Sequence, residues 1–311
     1  MDDARGIETS DDERLILEAI DKWLDRDVRP HVLRLEHADE YPQEMVEQMK
    51  ALGLFGATIP EEYGGLGLSA TTYARIVEKI ASVWMSLTGI FNSHLIMAAC
   101  VTRMGTEAQK REFLPKFASG ELRGGLALTE PDAGTDLQAI RTRAVRDGNG
   151  YRVNGTKTWI SNGIHGQCFA LLVKTDPEAQ PRHKGMSMFI VPAETPGVNI
   201  IRNTGLGSEA EDEGSHGYMH YDNVRVTDDN LLGDPGAAFA IAQTRLGGGR
   251  IHHAMRTIAQ VEAAFDMMCE RALSRETRTG PLASLGVVQE QIADTWIEIE
   301  QFKLLVLRTA W

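Results

Sequence analysis

The spacing of apolar residues changes twice along this chain, near Arg123 and again near Ala237, and those two changes restrict the fold more than any single motif. Before Arg123 apolar positions recur at helical intervals: Leu15, Ile16, Ile20, Trp23 and Leu24 follow a Ser10–Glu13 capping box, S-x-x-E. "PQEMVEQMKALG" reads as a short helix stopped by Gly53, and "IPEEYGGLG" as a turn-rich break. Ser69 to about Met104 reads as a buried pair of helices, and "TEAQKREFLPKFASG" as an amphipathic helix ending at Gly120. From Arg123 to about Val226 short β-type runs alternate with turn signals. "GYRVNG" follows "DGNG", a hairpin signal, and "CFALLVKT", "GMSMFIVPA", "VNIIRN" and "YMHYDNVRV" read as further strands. Helical periodicity returns from Ala237 to about Arg275, and a second long helix runs from Leu285 to the last residue. The expected fold is α+β and mostly helical: a helical domain at 1–122, an antiparallel β-barrel or sandwich at 123–235, and a helical bundle at 236–311.

Composition removes several function classes. A formal net charge of −12 disfavours a nucleic-acid footprint and a polybasic membrane anchor. The acidic start, "MDDARGIETSDDERL", has neither the basic, apolar build of a secretory signal nor the arginines of a transit peptide, and no apolar run approaches the ~20 residues of a membrane span. Cys100, Cys168 and Cys269 lie far apart without zinc or redox spacing, so reduced, mostly buried thiols and a cytoplasmic location are expected. No G-x-G-x-x-G follows a strand and opens a helix, and no P-loop, H-E-x-x-H or C-x-x-C occurs. Adjacent His252 and His253 diverge on a helix, and His216 and His220 stand about 13 Å apart on a strand, so no metal site is expected.

Three stretches remain that ordinary packing explains less well. In "LALTEPDAGTD", Leu126 to Asp136, an apolar run stops at Thr129, Pro131 limits the backbone, and Ala133, Gly134 and Thr135 leave peptide N–H groups uncovered. Such a loop can lie along a planar heteroaromatic ligand and offer donors to it or to a phosphate, and it can equally be a tight surface turn capped by Thr and Asp. In "GTKTWISNG", Trp159 and Ser161 stand two apart, which on a strand puts an indole and a hydroxyl on one face, suited to the edge of a stacked ring; a core Trp with an incidental Ser is the plainer reading. In "TRLGGGRIHHAMR" three consecutive glycines lie inside or at the start of a helical pattern, at about 1 kcal/mol each relative to Ala. Close approach of a ligand with Arg250 beside it would explain them, as would a helix start with a solvated arginine.

These stretches, in this order on an α-β-α plan, resemble the acyl-CoA dehydrogenase family from roughly Leu15 to Trp311. "IPEEYGGLGLS", "MGTEAQKREFLPKFASGE", "LALTEPDAGTD", "NGTKTWISNG", "VRVTDDNLLGDPGAAFAIAQTRLGGGR" and "VVQEQIADTWIEIEQ" each match a family segment, and the TEP-x-A-G-[ST]-D and K-x-W-I-[ST]-N-G pair is highly specific. The resemblance implies bound FAD, an acyl-CoA substrate oxidised to the trans-2-enoyl-CoA by α-proton abstraction and β-hydride transfer to flavin N5, an electron-transfer flavoprotein as acceptor, and a homodimer or homotetramer. Carried over by motif, Leu126, Leu128 and Thr129 line the flavin ring, Gly134 and Thr135 meet its phosphate side, and Thr135 also approaches the CoA. Trp159, Ile160 and Ser161 flank the ring, Arg250 faces the substrate, and Arg275 reaches FAD, commonly across a subunit interface.

Three departures accompany the match. The usual Phe-Gly after the FAD-reaching arginine is Arg278-Thr279 here. Gly249 occupies the position where some members carry the catalytic glutamate. Most members carry it in the C-terminal helical part, and the apolar, uncapped end "IEQFKLLVLRTAW" creates the expectation that this part, with the base and a second flavin segment, lies beyond Trp311. Two other readings stay open: a non-redox acyl-CoA-binding or scaffold descendant of the fold, and an acyl-CoA oxidase.

Overall fold

The structure, a computed structural model, describes residues 10–205 and 216–311, without the side chains of 244–247; the acidic start of the chain at 1–9 lies outside the described residues. Along the chain the helices are α1 (Asp11–Trp23), α2 (Val32–Ala38), α3 (Gln43–Ala51), α4 (Ala70–Met104) and α5 (Glu107–Ser119). Then come strands β1 (Gly124–Ala127), β2 (Arg143–Asp147), β3 (Gly150–Ile160), β4 (Cys168–Lys174), β5 (Met186–Pro192), β6 (Val198–Asn203), β7 (Gly217–Thr227) and β8 (Leu231–Leu232). Helix α6 (Ala238–Ser274), the small hairpin β9 (Glu276–Thr277) and β10 (Gly280–Pro281), and helix α7 (Gly286–Ala310) complete it. Helical, β and helical parts thus follow one another as the apolar spacing predicts.

Local signals form as their chemistry dictates. Ser10 and Glu13 make the reciprocal capping box of α1, and Thr106 with Gln109 makes another at α5, so two otherwise unpaired N–H groups are satisfied at each helix start. The backbone of α4 leaves the helical region at Trp84 (φ −152°, ψ 101°), which divides it into the expected pair of helices. By length and hydropathy α4 could cross a membrane, more than the sequence reading allowed, but 61 % of its apolar window is buried within the protein, as in a core helix. The glycine run falls in the interior of α6: Gly248 is exposed, whereas Gly249 is buried.

By internal contacts the chain divides into two units. The first gathers the described part of 1–32 with Ser69–Thr88 and Arg250–Trp311, and is wholly helical apart from the small β9–β10 hairpin. Lys303 on α7 is ion-paired with Glu78 on α4 and with Glu262 on α6 (2.7 Å), and Lys79 reaches Asp21 on α1 (2.6 Å). Tyr73 Oη meets His252 Nδ1 at 3.0 Å. His252 is wholly buried, which pulls its pKa down to about 3, with the charges of His253 and Arg256 adding to the effect.

The second unit, Leu33–Leu68 with Gly89–Gly249, contains the sheet. Its strand order is β6-β7-β3-β2-β4-β5-β8, with β1 added beside β4, and among the described residues the path does not close into a ring. The pairing is antiparallel as expected except that β1 runs parallel to β4, and β2 meets β4 in parallel at Arg143↔Lys174. Physically, β1 arrives from a helix and reaches β4 through the long β2–β3 excursion, so no tight turn imposes an antiparallel partner. Asp147 pairs with Gly150 across a two-residue turn, and Gly148 supplies the positive φ (61°) that this tight hairpin uses. Strand β4 is buried on both faces, which explains why "CFALLVK" is an unbroken apolar run. Val153, Ile160, Phe169, Leu171, Phe189, Val191, Met219 and Tyr221 form the core on the sheet.

Candidate functional site

The first two motif stretches converge in the second unit. Just past β1, the Thr129 carbonyl accepts from the Thr158 backbone N–H at 2.9 Å, so the loop after β1 is stitched to β3. Beside that bond, Lys157 on β3 extends its ammonium to the Leu128 carbonyl (2.9 Å) and to Glu130 Oε1 (2.8 Å). Lys157 is wholly buried. Glu130, also buried, accepts from the backbone N–H groups of Arg141 (2.6 Å) and Thr142 (3.0 Å) as well. One carboxylate therefore ties both ends of the loop to each other and to β3. Burial pushes the Glu130 carboxyl up, but the Lys157 ammonium and the donors around it together hold it below the usual carboxylate range. Burial pulls Lys157 down to about 8 against the pull of Glu130, so both groups remain charged at neutral pH.

The loop itself is pinched by a reciprocal pair of backbone bonds between Glu130 and Ala133 (2.8 and 3.1 Å). Beyond the pinch, Gly134 and Thr135 are exposed, and their N–H groups find no acceptor among the described residues. A Cβ at Gly134 would touch only Thr129 Cγ2, at 3.7 Å. Leu128, Thr129, Gly134, Thr135, Leu137 and Phe239 line a cavity of about 320 Å³ at this point, within the size range of small-ligand sites.

Trp159 stands where the β3–β7 register shifts, between Lys157 and Ile160. Its φ is 59°, a backbone state that a bulky residue rarely adopts, and 44 % of its surface is exposed. A strained residue holding an indole out of the core is the pattern of a site kept for contact with something else. The His216 ring meets it edge-on, 6.5 Å between centroids. Simple strand alternation from Trp159 to Ser161 does not hold: the bulge intervenes, and Ser161 lies in the turn after β3. Ile160 packs its side chain, 1 % exposed, into the sheet core, so only its backbone remains for a ligand. The turn is fixed to β1 from two sides. Asn162 Nδ2 donates to Gly124 O (3.0 Å) and Ile90 O (2.9 Å), and Gly125 comes so close to Ser161 that a Cβ would sit 2.9 Å from the Ser161 carbonyl oxygen.

The structure thus brings Leu126, Leu128, Thr129, Gly134, Thr135, Trp159, Ile160 and Ser161 into one connected region of the second unit. Leu126 and Leu128 are buried there and Thr129 is half-buried. Arg250 and Arg275 belong to the first unit, and both are exposed: Arg250 on α6, and Arg275 just after it, its carbonyl accepting from Leu282 N at 2.8 Å. Sequence reasoning did not single out Glu130, Lys157 or Asn162. Lys157 lies in a mostly polar strand and Glu130 inside the other motif, opposite charges that become partners only when the two stretches meet.

Comparison with known proteins gives the family. Models of the N-terminal, middle and C-terminal domains of acyl-CoA dehydrogenases match residues 10–121, 125–224 and 236–311. The chain is 36 % identical over 279 residues to acyl-CoA dehydrogenase family member 10 of Mus musculus; that match takes 86 % of this chain but 26 % of the mouse protein, so the chain spans about a quarter of that relative. It is 32 % identical over 309 residues to the probable acyl-CoA dehydrogenase YngJ of Bacillus subtilis, covering 98 % of this chain and 80 % of that protein. Among solved structures, an acyl-CoA dehydrogenase from Geobacillus kaustophilus superposes with a TM-score of 0.89 at 31 % identity, over 96 % of this chain and 78 % of the other. With three successive domains matched and one relative aligned over 98 % of this chain, the chain belongs to the acyl-CoA dehydrogenase family.

Proposed function

We propose that the chain is an FAD-dependent oxidoreductase that converts an acyl-CoA thioester to its trans-2-enoyl-CoA. The observation that carries this reading is the splice of the two motif stretches through Lys157, Glu130 and the Thr158–Thr129 bond. The residues present fit a flavin: free N–H donors at Gly134 and Thr135, room above Gly134, an apolar wall at Leu128, and a half-exposed indole at Trp159. When bound, FAD supplies the two-electron acceptor. The chain's own part is to hold and shield: the Glu130 latch fixes the loop, Leu128 and Trp159 exclude water from a flat ring, Thr129 and Ser161 offer hydroxyls at its edge, and Gly134 and Thr135 donate to phosphate. Arg250 is assigned to the substrate and Arg275 to FAD, the latter within a homodimer or homotetramer. An electron-transfer flavoprotein as acceptor, a cytoplasmic location and domain limits at 122/123 and 235/236 belong to the same proposal. The three free thiols and the spans of the family matches support the last two.

Purification with FAD tests the reading. A yellow protein whose flavin bands bleach on adding acyl-CoA anaerobically supports it, and oxygen uptake without another acceptor would make it an oxidase. Measured on a protein that also carries the C-terminal part expected to hold the base, tight flavin with no bleaching by any acyl-CoA would favour the non-redox descendant, and failure to take up FAD would refute the proposal.

A further inference from the structure

The turn that carries Ser161 runs on to Gln167, and its far end is held by Arg123, the residue just before β1. The Arg123 carbonyl accepts from Gln167 N (2.7 Å) and Cys168 N (3.1 Å), and Arg123 N donates to Gln167 Oε1 (3.0 Å). The Arg123 guanidinium donates to the His165 carbonyl (3.4 Å) and to Tyr41 Oη (3.0 Å), from the connection between α2 and α3. The Tyr41 and His165 rings stack, with 3.6 Å between centroids and 18° between planes. Gly166 N donates back to Asn162 O at 2.6 Å, so whatever holds His165 and Gln167 also holds Ser161 and Asn162. Arg123 is 5 % exposed, yet it forms no ion pair among the described residues. Glu47, on whose carboxylate its charge acts, is exposed and pairs with Lys50 at 2.9 Å. A buried cation without a carboxylate is costly, and an apolar side chain of that length would pack better against Phe55, whose ring centroid lies 5.7 Å from the guanidinium carbon. The cost is accounted for if the guanidinium fork is needed to hold two segments of chain in one geometry.

We propose that Arg123 is a positioning residue for the flavin site, a clasp that with Tyr41 and His165 sets the Ser161 turn against the flavin and holds only while the His165 ring is uncharged. The inference rests on the flavin reading above and goes beyond it in naming what holds Ser161 in place and what releases it. His165 Nε2 is buried and meets no partner among the described residues, so a proton added to the ring finds no acceptor there. The groups that face the ring are the Tyr41 phenol and the Arg123 guanidinium, and Arg123 is the one charge acting on it among the described residues. Burial, and then that guanidinium, hold the His165 ring below the ordinary histidine value of 6.5. The closed clasp therefore binds the proton less readily than the open one, so acid favours opening and neutral pH favours closure.

The test is FAD titration of the protein with its C-terminal part, followed by visible absorption at about pH 7.5 and about pH 5.5, for the unaltered protein and for Arg123→Met, Arg123→Lys and His165→Phe. Arg123→Met is expected to bind FAD about tenfold more weakly and to shift the flavin bands, with a urea midpoint unchanged or raised, because an apolar side chain replaces an unpaired buried cation. Arg123→Lys is expected to recover part of the affinity, since an ammonium still reaches one of the two acceptors. The unaltered protein is expected to lose affinity towards the lower pH by at most about tenfold per pH unit, the limit for one proton, and His165→Phe, which keeps a ring on Tyr41, to lose less. Unchanged FAD affinity in Arg123→Met, a loss of affinity matched by a loss of stability, or an equally steep pH profile in His165→Phe would each overturn the clasp. Amide hydrogen exchange across 161–168 in the FAD-free chain is a separate readout. Faster exchange in Arg123→Met supports the clasp and equal exchange overturns it, whereas an unaltered protein that takes up no FAD defeats the flavin reading itself.

Discussion

Lys157 and Glu130 hold opposite charges out of water and use them to join two stretches of chain that lie 27 residues apart. Removing one partner of a buried pair leaves the other uncompensated, so Lys157→Met is expected to cost about 3–5 kcal/mol in urea unfolding, whereas Lys157→Met with Glu130→Gln should cost less than the single change. A double-mutant cycle showing simple additivity would mean the pair is not coupled. Trp159 is different, because its indole is largely outside the core. Trp159→Ala should weaken FAD binding by about 1 kcal/mol, and Thr129→Ala should act in the same direction, with smaller changes in the urea midpoint. Flavin titrations giving unchanged affinity for both variants would show the site to be elsewhere. At this scale the motifs made Thr129, Gly134 and Thr135 beside the cavity legible, because small residues in such a loop have few structural uses. The latch was illegible, since a lysine within a strand normally reads as exposed and its partner is known only after folding.

Among elements, β1 and the turn after β3 lie in close contact. Gly125→Ala would place a methyl 2.9 Å from a backbone oxygen that cannot rotate away, so β1 and Ser161 must separate. The expected result is a loss of about 1–3 kcal/mol and lower flavin affinity together, read by unfolding and titration of one preparation; a neutral outcome would show that the turn yields freely. Strands and helices were legible because their apolar periods differ and their caps are explicit, as at Thr106 and Gln109. The parallel placement of β1 against β4 was not legible, because strand direction is decided by connections whose path the local pattern does not encode. Nor was the bulge at Trp159, since two residues opposing one leave no mark on composition.

For the molecule as a whole, burial of histidine couples stability to pH. Burial pulls His94 in the sheet-containing unit down to about 4, and His252 in the helical unit down to about 3. An unfolded histidine titrates near 6.5, so below that value the unfolded chain binds protons that the folded chain refuses. Stability should therefore be intact above about pH 6.5 and fall steadily as acid is added towards pH 4. Urea midpoints measured from pH 7 to pH 5 should decline, and a His94→Gln/His252→Gln variant, even if weaker overall, should show a flatter profile; an equally steep one would assign the effect to other groups. The gathering of one helical unit from the chain's beginning, the segment Ser69–Thr88 and its last fifth was beyond the reach of a linear reading, because Lys303 shows its dependence on Glu78 and Glu262 only in three dimensions.

The left-handed bulge that pushes the indole of Trp159 outward also makes that side chain an optical reporter. Trp23 and Trp84 are buried, so once Trp296 and Trp311 are replaced by phenylalanine, the red-edge emission comes from this one ring. A yellow chromophore seated against it would drain that emission by resonance transfer, and the quenching would count occupied molecules in real time without any turnover.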